Sequence, residues 1–200
     1  MKLVLATKNK NKIKEIRNKL SGIDSLELLS LEDFPGAPDV IEDGMSFQEN
    51  AVKKALAISA FTGLPALADD SGLCVDALDG RPGVFSARYA GENATDAERI
   101  IKLLDEMSDK VGRSAKFVCA ISCCFLNGKL ISVTGECRGL IAERPSGTMG
   151  FGYDPVFFLP EYGRTMAEIP LEEKNKISHR AVALEKAAVL LAEIDWTQKP

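Results

Sequence analysis

The sequence predicts an α/β fold: one unit built on a mixed β-sheet flanked by helices and pinched into two lobes. Two observations carry that expectation. Apolar runs of strand length alternate with segments of helical period through the first third of the chain, and a long hairpin follows that a purely parallel sheet cannot accommodate.

Taken in order, Leu3-Val4-Leu5-Ala6 reads as a buried strand, and the polar stretch Thr7-Lys8-Asn9-Lys10-Asn11 leads from it into a helix carrying Ile13, Ile16 and Leu20 at helical spacing. Leu26 to Leu31 reads as a second strand, followed by the loop Phe34-Pro35-Gly36-Ala37-Pro38. Ser46 with Glu49 three residues later forms a capping box, which opens a helix through Ala51, Ala55 and Ile58 to about Thr62. The run Leu64 to Ala68 ends in Asp69-Asp70-Ser71-Gly72, read as a strand emerging into a glycine turn. Beyond the loop Asp79-Gly80-Arg81-Pro82-Gly83, Thr95 caps a helix through Ile100, Leu103 and Leu104. Ala115 to Leu126 and Leu130 to Arg138 read as two strands joined at Asn127-Gly128, a strong hairpin signal. After the loop Arg144 to Pro155, a last helix spans about Ser178 to Asp195.

With 200 residues, 46% hydrophobic and 27% charged, the chain can bury a core for one large domain or two small lobes. A net charge of −4 argues against bulk binding to nucleic acid or to an anionic membrane, so any anionic ligand must meet a local basic cluster. No apolar stretch reaches transmembrane length, and Met1 to Ala6 turns polar too soon for a signal peptide; the expected location is cytoplasmic. Cys74, Cys119, Cys123, Cys124 and Cys137 lack the paired short spacing of a zinc site and read as buried, reduced thiols.

Four segments could carry chemistry. Thr7 to Lys12 stands between a strand and a helix, where unsatisfied amides and three lysines suit a phosphate, although a solvated basic helix start gives the same pattern. The carboxylates Glu42, Asp43, Glu49, Asp69 and Asp70 form the second set. Adjacent strand residues point to opposite faces, so only one of Asp69 and Asp70 can face a given site and the other must be occupied structurally. Magnesium keeps several waters and takes one or two carboxylates plus substrate phosphates, so one aspartate helped by Glu42 would suffice. Gly147 to Pro155 allows close backbone approach around Phe151, against which a flat ligand could stack, with acceptors on Asp154. In Lys174 to Arg180, the N-cap Ser178 leaves His179 and Arg180 in a first helical turn, a poor place for cations unless an anion or electron-rich group is near.

These segments, with Ser46-Phe47-Gln48-Glu49-Asn50-Ala51, Pro82 to Tyr89 and Ile177-Ser178-His179-Arg180, resemble the inosine triphosphate pyrophosphatase family over nearly the whole chain. The resemblance implies an elongated fold whose central mixed sheet joins two lobes with the active-site cleft between them, a single pyrophosphatase domain over residues 1–200, and a homodimer. It implies magnesium-dependent hydrolysis of non-standard purine triphosphates (ITP, dITP, XTP) to the monophosphate and pyrophosphate, without nucleic acid or membrane partners. Carried over by position, Thr7, Lys8, Asn9, Lys10, Asn11, Lys12 and Lys54 hold the triphosphate, and Glu42 and Asp70 serve the metal. Asp70 is the catalytic base and Ser71 contacts substrate. Phe151 stacks on the purine, and Gly152, Tyr153, Asp154, Lys174, His179 and Arg180 complete the nucleotide site. Lys8 stands where many relatives have a smaller residue such as glycine. The alternatives are a pyrophosphatase for modified pyrimidine triphosphates, a non-catalytic nucleotide sensor, and a nucleic-acid-binding module.

Overall fold

In the computed structural model, which describes residues 2–23 and 26–194, the first apolar run is strand β1 (Lys2–Leu5), with Leu3, Val4 and Leu5 fully buried. Strands β2 (Glu27–Ser30) and β3 (Ala66–Val75) pair with it in parallel, Val4 lying opposite Leu29 on one side and Ala66 on the other. With β4 (Ser114–Cys124), β5 (Leu130–Ile141), β6 (Phe157–Leu159) and β7 (Arg164–Thr165) they form a seven-stranded sheet in the order β2-β1-β3-β4-β5-β6-β7. β5, β6 and β7 pair antiparallel, so the sheet is mixed, as expected. The Asn127-Gly128 turn stands where the sequence predicts it: Gly128 takes φ +80°, a conformation glycine adopts without steric cost, and donates to the Phe125 carbonyl.

The helices are α1 (Lys10–Leu20), α2 (Phe47–Thr62), α3 (Asp96–Glu106), α4 (Leu171–Ile177) and α5 (His179–Ala192). Ser46 caps α2 by accepting from the Glu49 amide, but the Glu49 carboxylate accepts from the Met45 amide instead of closing the box on Ser46. At α3 the box is complete between Thr95 and Glu98. The predicted end of the last helix at Asp195 lies outside the described residues, as does Met1 at the start of the first run.

One expectation is corrected. Asp70-Ser71-Gly72 is not a turn: β3 runs unbroken from Ala66 to Val75. Gly72 is not among the positive-φ glycines, and the next apolar residues, Leu73 and Val75, are fully buried in a core that keeps the strand extended. The short strands β6 and β7 and the helix α4 fall below the length at which periodicity is readable.

The chain divides into two compact units. The first runs to Asp70, takes in Cys119–Gly135 and resumes at Arg180; the second comprises Ser71–Val118 and Glu136–His179. In the first, Leu3, Leu5, Ile16 and Leu20 pack with Leu184 and Leu191, while Val4, Ala66 and Ala68 pack with Ala55 and Ile58 of α2. In the second, Leu73, Leu103, Met107, Phe117, Phe157 and Met166 form the core. All five cysteines are free, four of them buried, and burial pushes the Cys119 thiol up to about 12, so it is inert at neutral pH. Among the described residues no helix is long and apolar enough to cross a membrane.

Gly147 is a point where backbone geometry dictates residue choice. It takes φ +81°, and a Cβ there would stand 2.3 Å from the Ala167 carbonyl oxygen. Gly147→Ala is expected to cost at least about 2 kcal/mol, combining left-handed strain with overpacking, read as a lower denaturant midpoint. A variant as stable as the parent would show that this loop tolerates displacement.

Candidate active site

In the first unit, the chemistry is organised by the alternation of β3. Asp69 and Asp70 point to opposite faces, so their side chains meet different nearest cations, Arg180 and Lys12 for the first and Lys54 for the second. The Asp69 side chain is wholly buried: its Oδ2 accepts from Arg180 Nε and Nη2, both at 3.1 Å, and lies 3.1 Å from Lys12 Nζ. Its other oxygen, Oδ1, is buried without a hydrogen-bond partner among the described residues. Burial alone would raise the Asp69 carboxyl, but Lys12, Arg180 and Lys54 outweigh it and hold the group well below the usual carboxylate range. Arg180 is itself 1% exposed, and its Nη1 donates to Glu15 at 2.5 Å.

Asp70 stands in a different field. Burial pushes its carboxyl up, and the nearby Glu42 charge adds to this, while Lys54 and a hydrogen bond from Asn50 only partly oppose it. Lys54 gathers the group: its Nζ donates to Glu42 Oε1 at 2.6 Å and to the Asp69 carbonyl at 2.7 Å, and lies 3.7 Å from Asp70 Oδ1. Burial would favour the neutral amine, but Asp70, Asp69 and Glu42 reverse that and raise Lys54 above its ordinary value. Lys54 is delivered there by α2, whose buried positions Asn50, Ala51, Lys54, Ala55, Ile58 and Ser59 form one stripe. Its alanines let the helix lie close to the sheet, so Asn50 and Lys54, one turn apart, reach the acidic cluster.

The loop Thr7 to Lys12 is at the expected strand-to-helix junction. Asn9 is the N-cap, and its Oδ1 accepts from the Asn11 and Lys12 amides at 3.0 and 3.2 Å, while Thr7 Oγ1 accepts from the Asn9 amide. Two of the helix-start amides are therefore already satisfied, and the lysines give the loop its main attraction for an anion. Lys10 is exposed, Lys8 pairs with Asp39 at the surface, and Lys12 turns inward to Asp69.

Does this cluster suit a divalent metal? Among the described residues no group of three or more His, Cys, Asp or Glu side chains could hold an ion. Two carboxylates, Glu42 and Asp70, do converge on Lys54, and Asp70 carries a raised pKa. That donor set fits an ion that needs one or two protein carboxylates and completes its shell with water and phosphate oxygens.

The second unit holds the aromatic half of the predicted set. Gly150 and Gly152 take φ +85° and +63° on either side of Phe151. A Cβ on Gly150 would lie 2.1 Å from Asp154 Oδ2, so only glycine fits. That oxygen accepts from the Phe151 amide at 3.0 Å and from Lys174 Nζ at 2.6 Å, and the Lys174 ammonium sits 4.7 Å from the centre of the Phe151 ring. Asp96, at the start of α3, accepts from the Gly152 amide at 2.6 Å and pairs with Arg99, which also reaches the Ala87 carbonyl. Tyr153 is 4% exposed in the core and donates to the Ser86 carbonyl, so its ring is a brace. His179 stacks on Phe117 at 4.7 Å, and Ser71 is half-buried.

Reading the residues in order did not place Asn50, Glu15 or Asp96 among these groups. Asn50 was detectable as a polar residue one turn before Lys54 on a helix face otherwise lined by alanine. Glu15 and Asp96 carry no such signal, since their partners are distant in sequence.

The class that the fold defines is α/β, a mixed seven-stranded sheet flanked by helices. The chain belongs to the Ham1 family, whose model matches residues 3–189. It is 54% identical over 197 residues, 98% of this chain and 97% of the relative, to the dITP/XTP pyrophosphatase of Geobacter sulfurreducens. It is 50% identical to the dITP/XTP pyrophosphatase of Desulfotalea psychrophila, over 91% of this chain and 81% of that one. The solved structure of a HAM1 protein from Coxiella burnetii superposes with a TM-score of 0.91 at 45% identity, covering 97% of this chain and all of that one.

The two neighbouring aspartates are expected to respond oppositely to neutralisation. Asp69→Asn takes the countercharge from Lys12 and one of two carboxylates from buried Arg180, and should cost about 3–5 kcal/mol. Because its folded pKa is depressed, that stabilisation is present above the unfolded aspartate value of about 3.9 and is lost as pH falls below it. Asp70, raised in the folded state, opposes folding as pH climbs above the unfolded value, so Asp70→Asn should leave stability at pH 7 unchanged or higher. Thermal denaturation of both variants at pH 4 and 7 checks this, and an Asp70→Asn protein as unstable as Asp69→Asn would contradict the assignment.

Proposed function

We propose that this chain is a nucleoside triphosphate pyrophosphatase that hydrolyses non-standard purine triphosphates, with dITP, XTP and ITP as substrates, to the monophosphate and pyrophosphate. The observation that carries the reading is the Lys54-centred cluster, where a buried ammonium holds Glu42 while lying beside a carboxyl of raised basicity. The names of the relatives at about half identity over nearly the full chain support the substrate class.

On this reading Lys54, Lys12 and the Thr7–Asn11 loop bind the triphosphate and neutralise its charge. Glu42 and Asp70 would hold a magnesium ion, which when bound supplies charge neutralisation and orientation of the phosphate chain. Asp70 holds the attacking water and takes its proton; a carboxylate with a raised pKa is the better base near neutral pH. The water oxygen bonds to the α-phosphorus as the bond from that phosphorus to the bridging oxygen breaks, and pyrophosphate departs. Ser71 adds a hydroxyl contact to substrate.

The purine stacks on Phe151, with Gly152 to Asp154 and His179 beside it. Lys174, fixed over that ring by Asp154, offers donors to a 6-oxo group. A 6-amino group there leaves donor facing donor, which costs on the order of 1–3 kcal/mol per contact. Arg180 remains a candidate for base recognition, but its pairing with Asp69 and Glu15 means that its removal would first be felt in the fold. We further propose that the chain works as one domain over residues 1–200, as a cytoplasmic homodimer, without nucleic acid or membrane partners.

The deciding assay incubates the protein with magnesium and ITP, dITP, XTP, ATP, methylated UTP or TTP and identifies the products. Inosine monophosphate with pyrophosphate is expected; inosine diphosphate with orthophosphate would reject the reaction, and preference for the pyrimidines would reject the substrate. Asp70→Asn should lower kcat at least about a thousandfold, in line with loss of a general base together with a charge at the reacting centre. Lys174→Met should narrow the ITP to ATP preference by about tenfold or more, since one lost contact carries that much discrimination.

A further inference from the structure

Asn50 is fully buried on α2 and makes two directed hydrogen bonds within the first unit. Its Oδ1 accepts from the Gly44 amide at 2.8 Å, and its Nδ2 donates to Asp70 Oδ2 at 3.0 Å. Gly44 lies two residues after Glu42, so one carboxamide ties the segment carrying Glu42 to the side chain of Asp70. There is no slack in the link: a Cβ on Gly44 would meet Asn50 Oδ1 at 2.7 Å and Glu49 Cβ at 2.9 Å. A carboxamide has a donor and an acceptor at opposite corners, so the acceptor bond to a backbone amide fixes which corner faces Asp70. An aspartate in its place would present a carboxylate to a carboxylate.

We infer that Asn50 is a positioning residue: it fixes the Asp70 carboxyl and the Glu42 segment in one arrangement, so that both acids are presented to Lys54 before substrate arrives. This rests on the catalytic role proposed above for Asp70. It goes further in assigning the rotamer of that acid to a neutral side chain that need not touch the nucleotide. A purely structural role, holding the 42–46 loop against α2, would need only the acceptor half of the amide. The positioning role needs the donor half.

Asn50→Asp and Asn50→Leu separate these halves. Asn50→Asp keeps an acceptor for Gly44 and replaces the donor to Asp70 with a like charge that turns that carboxyl away; Asn50→Leu loses both bonds without adding charge. The measurements are kcat and KM for ITP with magnesium, thermal stability, and hydrogen exchange of the Gly44 amide by NMR in substrate-free protein. Positioning predicts that Asn50→Asp retains Gly44 protection and a KM within threefold, yet loses at least thirtyfold in kcat. Asn50→Leu should lose both protection and turnover. An Asn50→Asp protein within threefold of the parent kcat would overturn the inference, as would one whose loss of turnover is matched by loss of Gly44 protection. A separate substrate-free measurement covers the case in which the parent does not hydrolyse ITP, an outcome that would sink the proposed reaction alone. One Asn50 side-chain amide proton should be protected from exchange in the parent and lose that protection in Asp70→Ala; unchanged protection there would overturn the inference independently of any activity.

Discussion

The first unit is governed by the charge balance around two consecutive aspartates on one strand. Among the described residues, Asp69 and Glu15 pair with Arg180, Asp69 also pairs with Lys12, and Glu42 and Asp70 gather at Lys54. The strand's alternation decides which aspartate meets which cation. Asp69 takes Arg180 and Lys12 on one face and stays ionised in full burial, while Asp70 shares Lys54 with Glu42, and burial together with the Glu42 charge raises its carboxyl. A carboxyl raised in this way disfavours folding once it is ionised, and it takes a proton more readily. On the proposed mechanism the residue that costs stability is the one that serves as base.

The second unit solves a different problem, holding an aromatic ring at a defined angle on a loop. Asp154 is the centre of that solution. One of its oxygens accepts from the Phe151 amide and from Lys174, and Gly150 is excluded from being anything larger by the same oxygen. Asp96 clamps the following amide from the first turn of α3, and Tyr153 ties the loop to the 3₁₀ segment Gly83–Arg88 through Ser86. A loop anchored at successive residues has little entropy left to lose, so the proposed stacking of a purine on Phe151 would meet a preorganised ring.

Local chemistry made part of this legible beforehand. The Ser46 and Thr95 caps, the Asn127-Gly128 turn and the alternation separating Asp69 from Asp70 each follow from rules that operate within a few residues. What was not legible depends on tertiary partners. Arg180 meets Asp69 across 111 residues of sequence and Glu15 across 165, so its place in a first helical turn calls for an electron-rich neighbour but nothing near it says which. The continuation of β3 through Gly72 was hidden for a similar reason. A glycine after a polar triplet reads as a turn, and only the burial of Leu73 and Val75 in a core assembled from distant strands keeps it extended.

Lys54 shows why the cluster must be treated as one object. A lysine so buried would ordinarily shed its proton, and it is kept charged by Asp70, Asp69 and Glu42 acting together. Asp69 and Asp70 are each lowered in turn by the ammonium, so the groups are coupled and the energies of single substitutions will not add. Asn50 is the neutral member of this set. It is bonded to Asp70 but brings no charge of its own, so it constrains direction while its donor favours the ionised carboxylate. A directed neutral group and a charged one thus act on the same acid from one helix, a turn apart, and the alanines beside them lie against the strand that holds the acids.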